Sequence, residues 1–91
     1  MAPGIAELRE SIDRIDREVM ELIAQRLELV MKVGEIKRTH GLAVYDAERE
    51  RELLDRVGRD ARAPLDAAAA RRIFECVIRE SRELERRHVE R

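Results

Sequence analysis

The feature that most constrains the fold is an apolar stripe through the first 38 residues. Apolar residues recur at spacings of three and four from Ile5 to Ile36 with no proline between them, the pattern of one amphipathic helix. We predict this helix over residues 5–38. Its span is roughly 50 Å at about 1.5 Å per residue, whereas a compact monomer of this length has a diameter of only about 30 Å. The rest of its own chain is too short to cover it.

Two shorter helices are predicted to follow. The segments "THGLAVYD" and "RDARAP" lack a helical stripe and are predicted to be loops. Between and after them we predict helices over residues 47–57 and 67–88. Asp46 and Asp66 are suited to be their N-caps, and Gly58 is suited to the C-terminal end of the second helix.

The composition agrees with an all-α chain. Charged residues make up 43% of the sequence and aromatic residues 2%, which is typical of a helical bundle with charged outer faces. The 91 residues suffice for one domain, residues 1–91, with a marginal core. We therefore predict that the long helix packs against the same helix of a second copy, in an intertwined two-fold homodimer. A kink near Gly34 would instead allow a compact monomer.

Several classes of partner are not expected. Basic and acidic residues are interspersed and the formal net charge is -1, so no basic block indicates nucleic acid binding. No secretory signal and no membrane span are recognisable. Cys76, the single cysteine, is predicted to be a reduced packing residue among apolar neighbours, which favours a cytoplasmic setting. His40 and His88 have no partners at metal-ligand spacing, so no metal is expected.

Charged residues fall on faces that should be apolar. Arg26 and Lys37 lie on the stripe of the first helix, about three turns apart. Asp46 and Glu50, with Arg49 beside them, extend the stripe of the second helix. Each helix thus carries an apolar stripe that turns polar near one end.

The third helix continues this pattern, because Ser81 and Glu85 extend the stripe that contains Ile78. A desolvated cation is costly unless an anion accompanies it. Three helices that present cations, carboxylates and a hydroxyl from apolar faces predict an enclosed polar pocket that accepts an anion. The alternative is that these residues form ordinary salt bridges, or that their stems lie along the core while their heads reach water.

Arg9 adds a geometric constraint. It lies roughly 25 Å from Arg26 along the helix and about 100° away around it. Both cannot grip one small ligand from the same straight helix. If Arg9 serves such a pocket, it serves the pocket of the partner chain.

Four fragments, "LRESID", "QRLELVMKVGEIK", "YDAERERELL" and "RESRELE", occur in this order along nearly the whole chain. Together they resemble the all-helical, AroQ-type chorismate mutases. The resemblance implies an interlocked homodimer with two active sites, each completed by an arginine of the other chain. It implies rearrangement of chorismate to prephenate, on the path to phenylalanine and tyrosine, without metal or cofactor. It also allows association with another aromatic-pathway enzyme, since relatives occur fused to such enzymes or in complex with them.

The resemblance further implies roles for individual residues. Arg9 would be the cation donated across the dimer and Arg26 the main cation of the home chain, together holding two substrate carboxylates. Lys37 and Glu85 would donate to the ether oxygen, Glu85 only in its protonated form. The remaining substrate-binding positions would be Asp46 and Glu50 near the hydroxyl, Arg49 and Ser81 at a carboxylate, and Val33 and Ile78 on the apolar wall.

One residue departs from the family pattern, and two other functions fit the same residues. Arg82 stands where many relatives have an apolar residue, so either the wall differs there or the side chain turns outward. An isochorismate-pyruvate lyase would share the helical dimer and much of the cation set. A non-catalytic helical dimerisation or regulatory module would carry the charges only as surface ion pairs of little energetic weight.

Overall fold

Three helices and two loops make up residues 4–89. The computed structural model describes residues 4–89, with α1 at Ile5–Thr39, α2 at Ala47–Asp60 and α3 at Ala67–Val89. Within these residues no strand occurs. The predicted all-α fold class is therefore confirmed.

A left-handed glycine ends α1. Gly41 has a φ of 66°, a conformation that costs glycine little because it has no Cβ. The backbone N–H of Leu42 donates to the carbonyl of Lys37 at 2.7 Å, which closes the last turn. The helix ends at Thr39, one residue beyond the predicted end. The chain then turns back towards α2.

Both predicted N-caps are confirmed. The Asp46 carboxylate accepts a hydrogen bond from the backbone N–H of Arg49 at 3.1 Å. The Asp66 carboxylate accepts one from the backbone N–H of Ala69 at 2.8 Å. Each bond satisfies an amide of the first turn that has no partner inside its own helix.

The predicted end of α2 at Val57 is wrong. The helix continues through Gly58 and ends at Asp60. Gly58 lies where α3 approaches closely, and a Cβ added to it would overlap the guanidinium of Arg71. This glycine therefore leaves room for the Arg71 side chain of α3 and does not reverse the chain.

The core is small and centred on α3, which contacts both other helices. Its buried apolar side chains are Leu53, Ala70 and Ile78. Gly34 is the buried residue of α1, and α1 passes through it without interruption. The packed part of α1 is therefore its C-terminal third.

The remaining two-thirds of α1 project beyond the other helices. Every residue from 4 to 25 is exposed, including the stripe residues Leu8, Ile12, Ile15 and Val19, which are 47% to 57% exposed. The chain measures 60 × 26 × 14 Å and has a radius of gyration of 16.8 Å, against about 12 Å for a compact chain of this length. The alternative of a compact, kinked monomer is wrong. Within one chain the apolar stripe of α1 stays uncovered.

Two features concern the predicted cellular location of the chain. Cys76 is exposed, and a guanidinium N–H of Arg79 donates to its Sγ at 3.1 Å. The prediction that Cys76 packs among its apolar neighbours is wrong, because Cys76 lies about 100° around α3 from the neighbouring stripe residue Val77. None of the described helices combines the length and the apolarity needed to cross a membrane.

Removal of the α3 cap provides a test of the fold. We expect Asp66→Ala to lower the free energy of unfolding by about 1 kcal/mol, because the first turn loses an acceptor. Asp66→Asn keeps an acceptor and should stay within a few tenths of a kcal/mol of the wild type. Urea unfolding followed by circular dichroism measures both. Equal losses in the two variants would show that the capping bond does not stabilise α3.

Candidate functional site

One face of α3 carries buried polar groups. Ile78, Ser81 and Glu85 follow one another at spacings of three and four, so they share a face of the helix. Ser81 and Glu85 are each only 7% exposed. The Ser81 hydroxyl donates to the carbonyl of Val77 at 2.7 Å. These two polar side chains occupy buried positions where apolar side chains would pack more favourably. This face of α3 is therefore a candidate site.

This face borders a cavity of about 330 Å³ between the three helices. Pockets for small molecules have volumes of roughly 300–1,000 Å³, so a small, compact ligand fits the space. All predicted site residues except Arg9 line the cavity. They are Arg26, Val33, Lys37, Asp46, Arg49, Glu50, Ile78, Ser81 and Glu85.

Arg26 is a partly buried cation with no carboxylate beside it. Its Nη1 donates to Ser81 Oγ at 2.6 Å, and within residues 4–89 it makes no ion pair. Burial lowers the pKa of Arg26, and the positive charges of Arg49 and Arg56 lower it further. An anion bound beside Arg26 would relieve both effects.

Arg49 is a second cation whose side chain forms no ion pair with any residue that the structure describes. It lies in the first turn of α2, where its backbone N–H is bound by the Asp46 carboxylate. Asp46 is thereby engaged as the helix cap. Arg49 and Arg26 thus both line the cavity without a neutralising carboxylate.

Lys37 and Glu85 form an ion pair at the other end of the cavity. Lys37 Nζ lies 3.2 Å from Glu85 Oε1 and donates to the carbonyl of Val44 at 2.8 Å. The ion pair lacks hydrogen-bond geometry, so the buried Oε1 has no hydrogen-bond partner among residues 4–89. A buried polar atom without a partner is costly. Because Glu85 lines the cavity, a ligand can provide the missing bond.

Arg82 also lines the cavity and is paired with Glu50. Its Nε donates to Glu50 Oε1 at 3.1 Å and its Nη2 donates to Oε2 at 2.6 Å, while Nη2 also contacts Oε1. The guanidinium carbon lies 4.5 Å from the ring centre of Tyr45, a cation–π contact. The hydrogen bond to Glu50 raises the pKa of Arg82. The Arg82 side chain is 44% exposed, so it places a charge on the wall at this position and also reaches solvent.

The cavity lining has a surplus of positive charge. Four cations face three carboxylates, so the lining has a formal charge of +1. Two of the carboxylates are paired and the third caps a helix, which leaves the surplus at Arg26 and Arg49. Within residues 4–89, no group of three His, Cys, Asp or Glu side chains is arranged to hold a metal ion. The geometry suits an organic anion.

Arg9 lies outside this cavity. It is exposed on the projecting part of α1, roughly 25 Å along the helix from Arg26. Among residues 4–89 of one chain, the two arginines therefore stay apart.

Part of the cavity wall was not predicted from the sequence. Leu29, Val30 and Leu53 line the cavity, and all three belong to apolar stripes that do not distinguish wall from core. Val44 lines it too, and its carbonyl binds Lys37. Such a backbone contact leaves no side-chain pattern by which it could have been found.

The fold and the site define the class of protein: a small all-helical chain with a cationic, small-molecule pocket between its helices. The sequence matches the family model described as "Chorismate mutase type II" over residues 8–86. The chain belongs to this family.

Individual relatives agree with this assignment. A chorismate mutase of Methanocaldococcus jannaschii is 33% identical over 99% of this chain and 92% of its own length. The bifunctional chorismate mutase/prephenate dehydratase of Escherichia coli K12 is 39% identical over 81% of this chain. The chain spans 14% to 19% of the length of the T-proteins and bifunctional enzymes that it matches.

A solved structure shows the same fold. The chorismate mutase of Helicobacter pylori, in complex with prephenate, superposes with a TM-score of 0.86 at 27% identity, covering 94% of this chain and 93% of that one.

The arrangement around Arg26 predicts an unusual effect on stability. Arg26→Met should leave the free energy of unfolding within about 1 kcal/mol of the wild type, or raise it, since no carboxylate loses its partner. Ser81 keeps its bond to the Val77 carbonyl. Urea unfolding measures the change, with Leu53→Ala as the control that should lose about 2–5 kcal/mol of stability. A loss above about 2 kcal/mol in Arg26→Met would assign Arg26 to the core.

Proposed function

We propose that the chain catalyses the rearrangement of chorismate to prephenate, in the formation of phenylalanine and tyrosine. The observation that carries this proposal is the pair of cations without carboxylates, Arg26 and Arg49, in a cavity that also holds the Lys37–Glu85 pair. Chorismate is a compact dianion, and its two carboxylates need the cations that the lining has in surplus. Membership of the chorismate mutase type II family supports the same reading.

The residue types suit a concerted reaction. The rearrangement is a pericyclic step within one molecule, so it needs no nucleophile, no metal and no cofactor. What accelerates it is to hold the flexible substrate in the compact conformer that reacts. Arginine forks bind carboxylates through two hydrogen bonds and restrict them strongly. In this chain Arg26 holds one carboxylate, and Arg49 and Ser81 support a carboxylate.

Charge developing in the transition state gives Lys37 and Glu85 their roles. Negative charge grows on the ether oxygen as its bond to carbon breaks, and donors already directed there bind the transition state better than the substrate. Lys37 is held in place by the carbonyl of Val44. Glu85 serves as a second donor to the ether oxygen only when it carries a proton, in place of its ion pair with Lys37 at 3.2 Å.

The ring of the substrate lies between the apolar wall and the start of α2. Val33 and Ile78 form the wall, on opposite helices of the cavity. The substrate hydroxyl is bound at the first turn of α2, by the Glu50 side chain and the backbone of Asp46.

A second copy of the chain completes the site in this proposal. The stripe of α1 is uncovered, and the chain exposes 7565 Å², which exceeds by about 2,000 Å² the surface of a compact protein of this size. Two such excesses add to about 4,000 Å², within the range of obligate homodimer interfaces. An intertwined homodimer pairs the two stripes, and Arg9 of one copy then holds the second carboxylate in the site of the other.

The setting follows from the same proposal. We propose a cytoplasmic location for this reaction. Association with another aromatic-pathway enzyme is a further expectation, and a relative that is named for two activities, the bifunctional protein of Escherichia coli, supports it.

Incubation with chorismate tests the function. We expect loss of the ultraviolet absorbance of chorismate and formation of prephenate, identified by chromatography. In a parallel incubation with isochorismate, we expect no release of pyruvate. Arg26→Ala should reduce turnover by at least about 100-fold, whereas Arg72→Ala, an exposed arginine outside the cavity lining, should not. No turnover by the wild type would refute the mutase proposal, and pyruvate formed from isochorismate would identify a lyase.

Mixing two inactive variants tests the shared site. Arg9→Ala and Arg26→Ala should each be inactive, because each lacks one carboxylate contact at both sites of a dimer. After random exchange of subunits in equal amounts, about a quarter of the sites should be intact, because half the dimers are mixed and each carries one complete site. Recovery is measured as chorismate turnover, with exchange followed by mass spectrometry. Exchange without recovery would refute the donation of Arg9, and a folded monomer at micromolar concentration in sedimentation would refute the dimer.

A further inference from the structure

Arg82 occupies three of the hydrogen-bonding positions of Glu50. Two contacts fall on Oε1, from Nε and Nη2, and one falls on Oε2, from Nη2. An ionised carboxylate offers about four lone-pair sites, two on each oxygen. The contacts of Arg82 therefore leave an acceptor site free on Oε2. One site is sufficient for one hydroxyl group.

The Arg82 guanidinium also fixes the orientation of the Glu50 carboxylate. The Arg82 guanidinium is held from its other side by the Tyr45 ring at 4.5 Å. Tyr45 directly precedes the α2 cap Asp46, and Glu50 lies in the first turn of α2. Arg82 thus connects α3 to the start of α2 through two side chains, and it leaves the Glu50 carboxylate little freedom to rotate.

The pairing of Arg82 with Glu50 changes the charge of the cavity lining that an entering dianion contacts. Without Arg82 the cavity lining would carry three cations and three carboxylates, and Glu50 would face the ligand as an unpaired negative charge. With Arg82 in place, the carboxylate is neutralised and the lining keeps its surplus of +1. The raised pKa of Arg82 reflects the same hydrogen bond.

We propose that Arg82 is a positioning residue that neutralises and orients Glu50, leaving an acceptor site on Oε2 for the ring hydroxyl of the substrate. This inference rests on the proposed function. It assigns Arg82 a role through Glu50 and no direct contact with the substrate. A direct contact, with Arg82 as an additional carboxylate ligand, is the competing outcome of the test.

Steady-state kinetics with chorismate separate the two roles. Arg82→Leu should raise KM about tenfold through the unmasked charge of Glu50, with kcat reduced by less than about threefold. Arg82→Lys keeps the charge and loses the fork, so its KM should fall between those of Arg82→Leu and the wild type. The defect of Arg82→Leu should shrink at high salt. Arg79→Leu is the matched control, because Arg79 is exposed, lies on α3 and does not line the cavity.

The deciding comparison is made in a Glu50→Gln background, where no negative charge remains for Arg82 to neutralise. There Arg82→Leu should change KM by less than about twofold. Calorimetric binding of prephenate repeats the comparison without turnover, and circular dichroism checks folding. A tenfold effect that persists in Glu50→Gln would overturn the inference in favour of direct contact, and an unchanged KM in Arg82→Leu would overturn it outright. A wild type that neither converts chorismate nor binds prephenate would instead refute the proposed function, and this inference with it.

Discussion

The structure depends on a mismatch of length between α1 and everything else in the chain. The helix has 35 residues, and α3 covers it only from about Arg26 onwards, while α2 packs on α3. Apolar side chains before that point gain nothing from folding of a single chain, because they remain in water. The covered end is where α3 meets both other helices, and the cavity forms there. The uncovered end carries Arg9 and the stripe that we propose to be the dimer seam.

A second constraint is electrostatic. Arg26 sits beside two other arginines in a partly buried position, and its pKa is lowered by burial and by those neighbouring charges. A chain selected only for stability would place a carboxylate or an apolar residue there. The cavity instead keeps its carboxylates engaged elsewhere, at the α2 cap and in two ion pairs. Stability is thus given up at the place where, in the proposed function, a bound dianion would restore it.

Local signals allowed much of the fold to be predicted. The stripe of α1 and the caps Asp46 and Asp66 depend on neighbouring residues alone, and the structure has them as expected. Gly58 and Cys76 were misjudged because their surroundings depend on how α3 packs and which way it faces. Tertiary contacts of this kind leave no mark in the sequence near either residue.

The same division applies to the candidate site. Charged residues on apolar stripes, such as Arg26 and Lys37, were recognisable because they break a helical pattern, and they line one cavity. The bond from Lys37 to the Val44 carbonyl was not predictable, because it joins a side chain to a loop backbone. The pairing of Arg82 with Glu50 was not predictable either, because it joins residues on different helices that only the fold brings together.

The central claim is that one site is built from the cations of two chains. A crystal structure of the protein with prephenate would test it most directly. We predict two interlocked copies with one ligand carboxylate on Arg26 of the home chain and the other on Arg9 of the second copy. Both carboxylates bound by cations of a single chain, or a ligand bound away from the cavity that Arg26 lines, would contradict the claim.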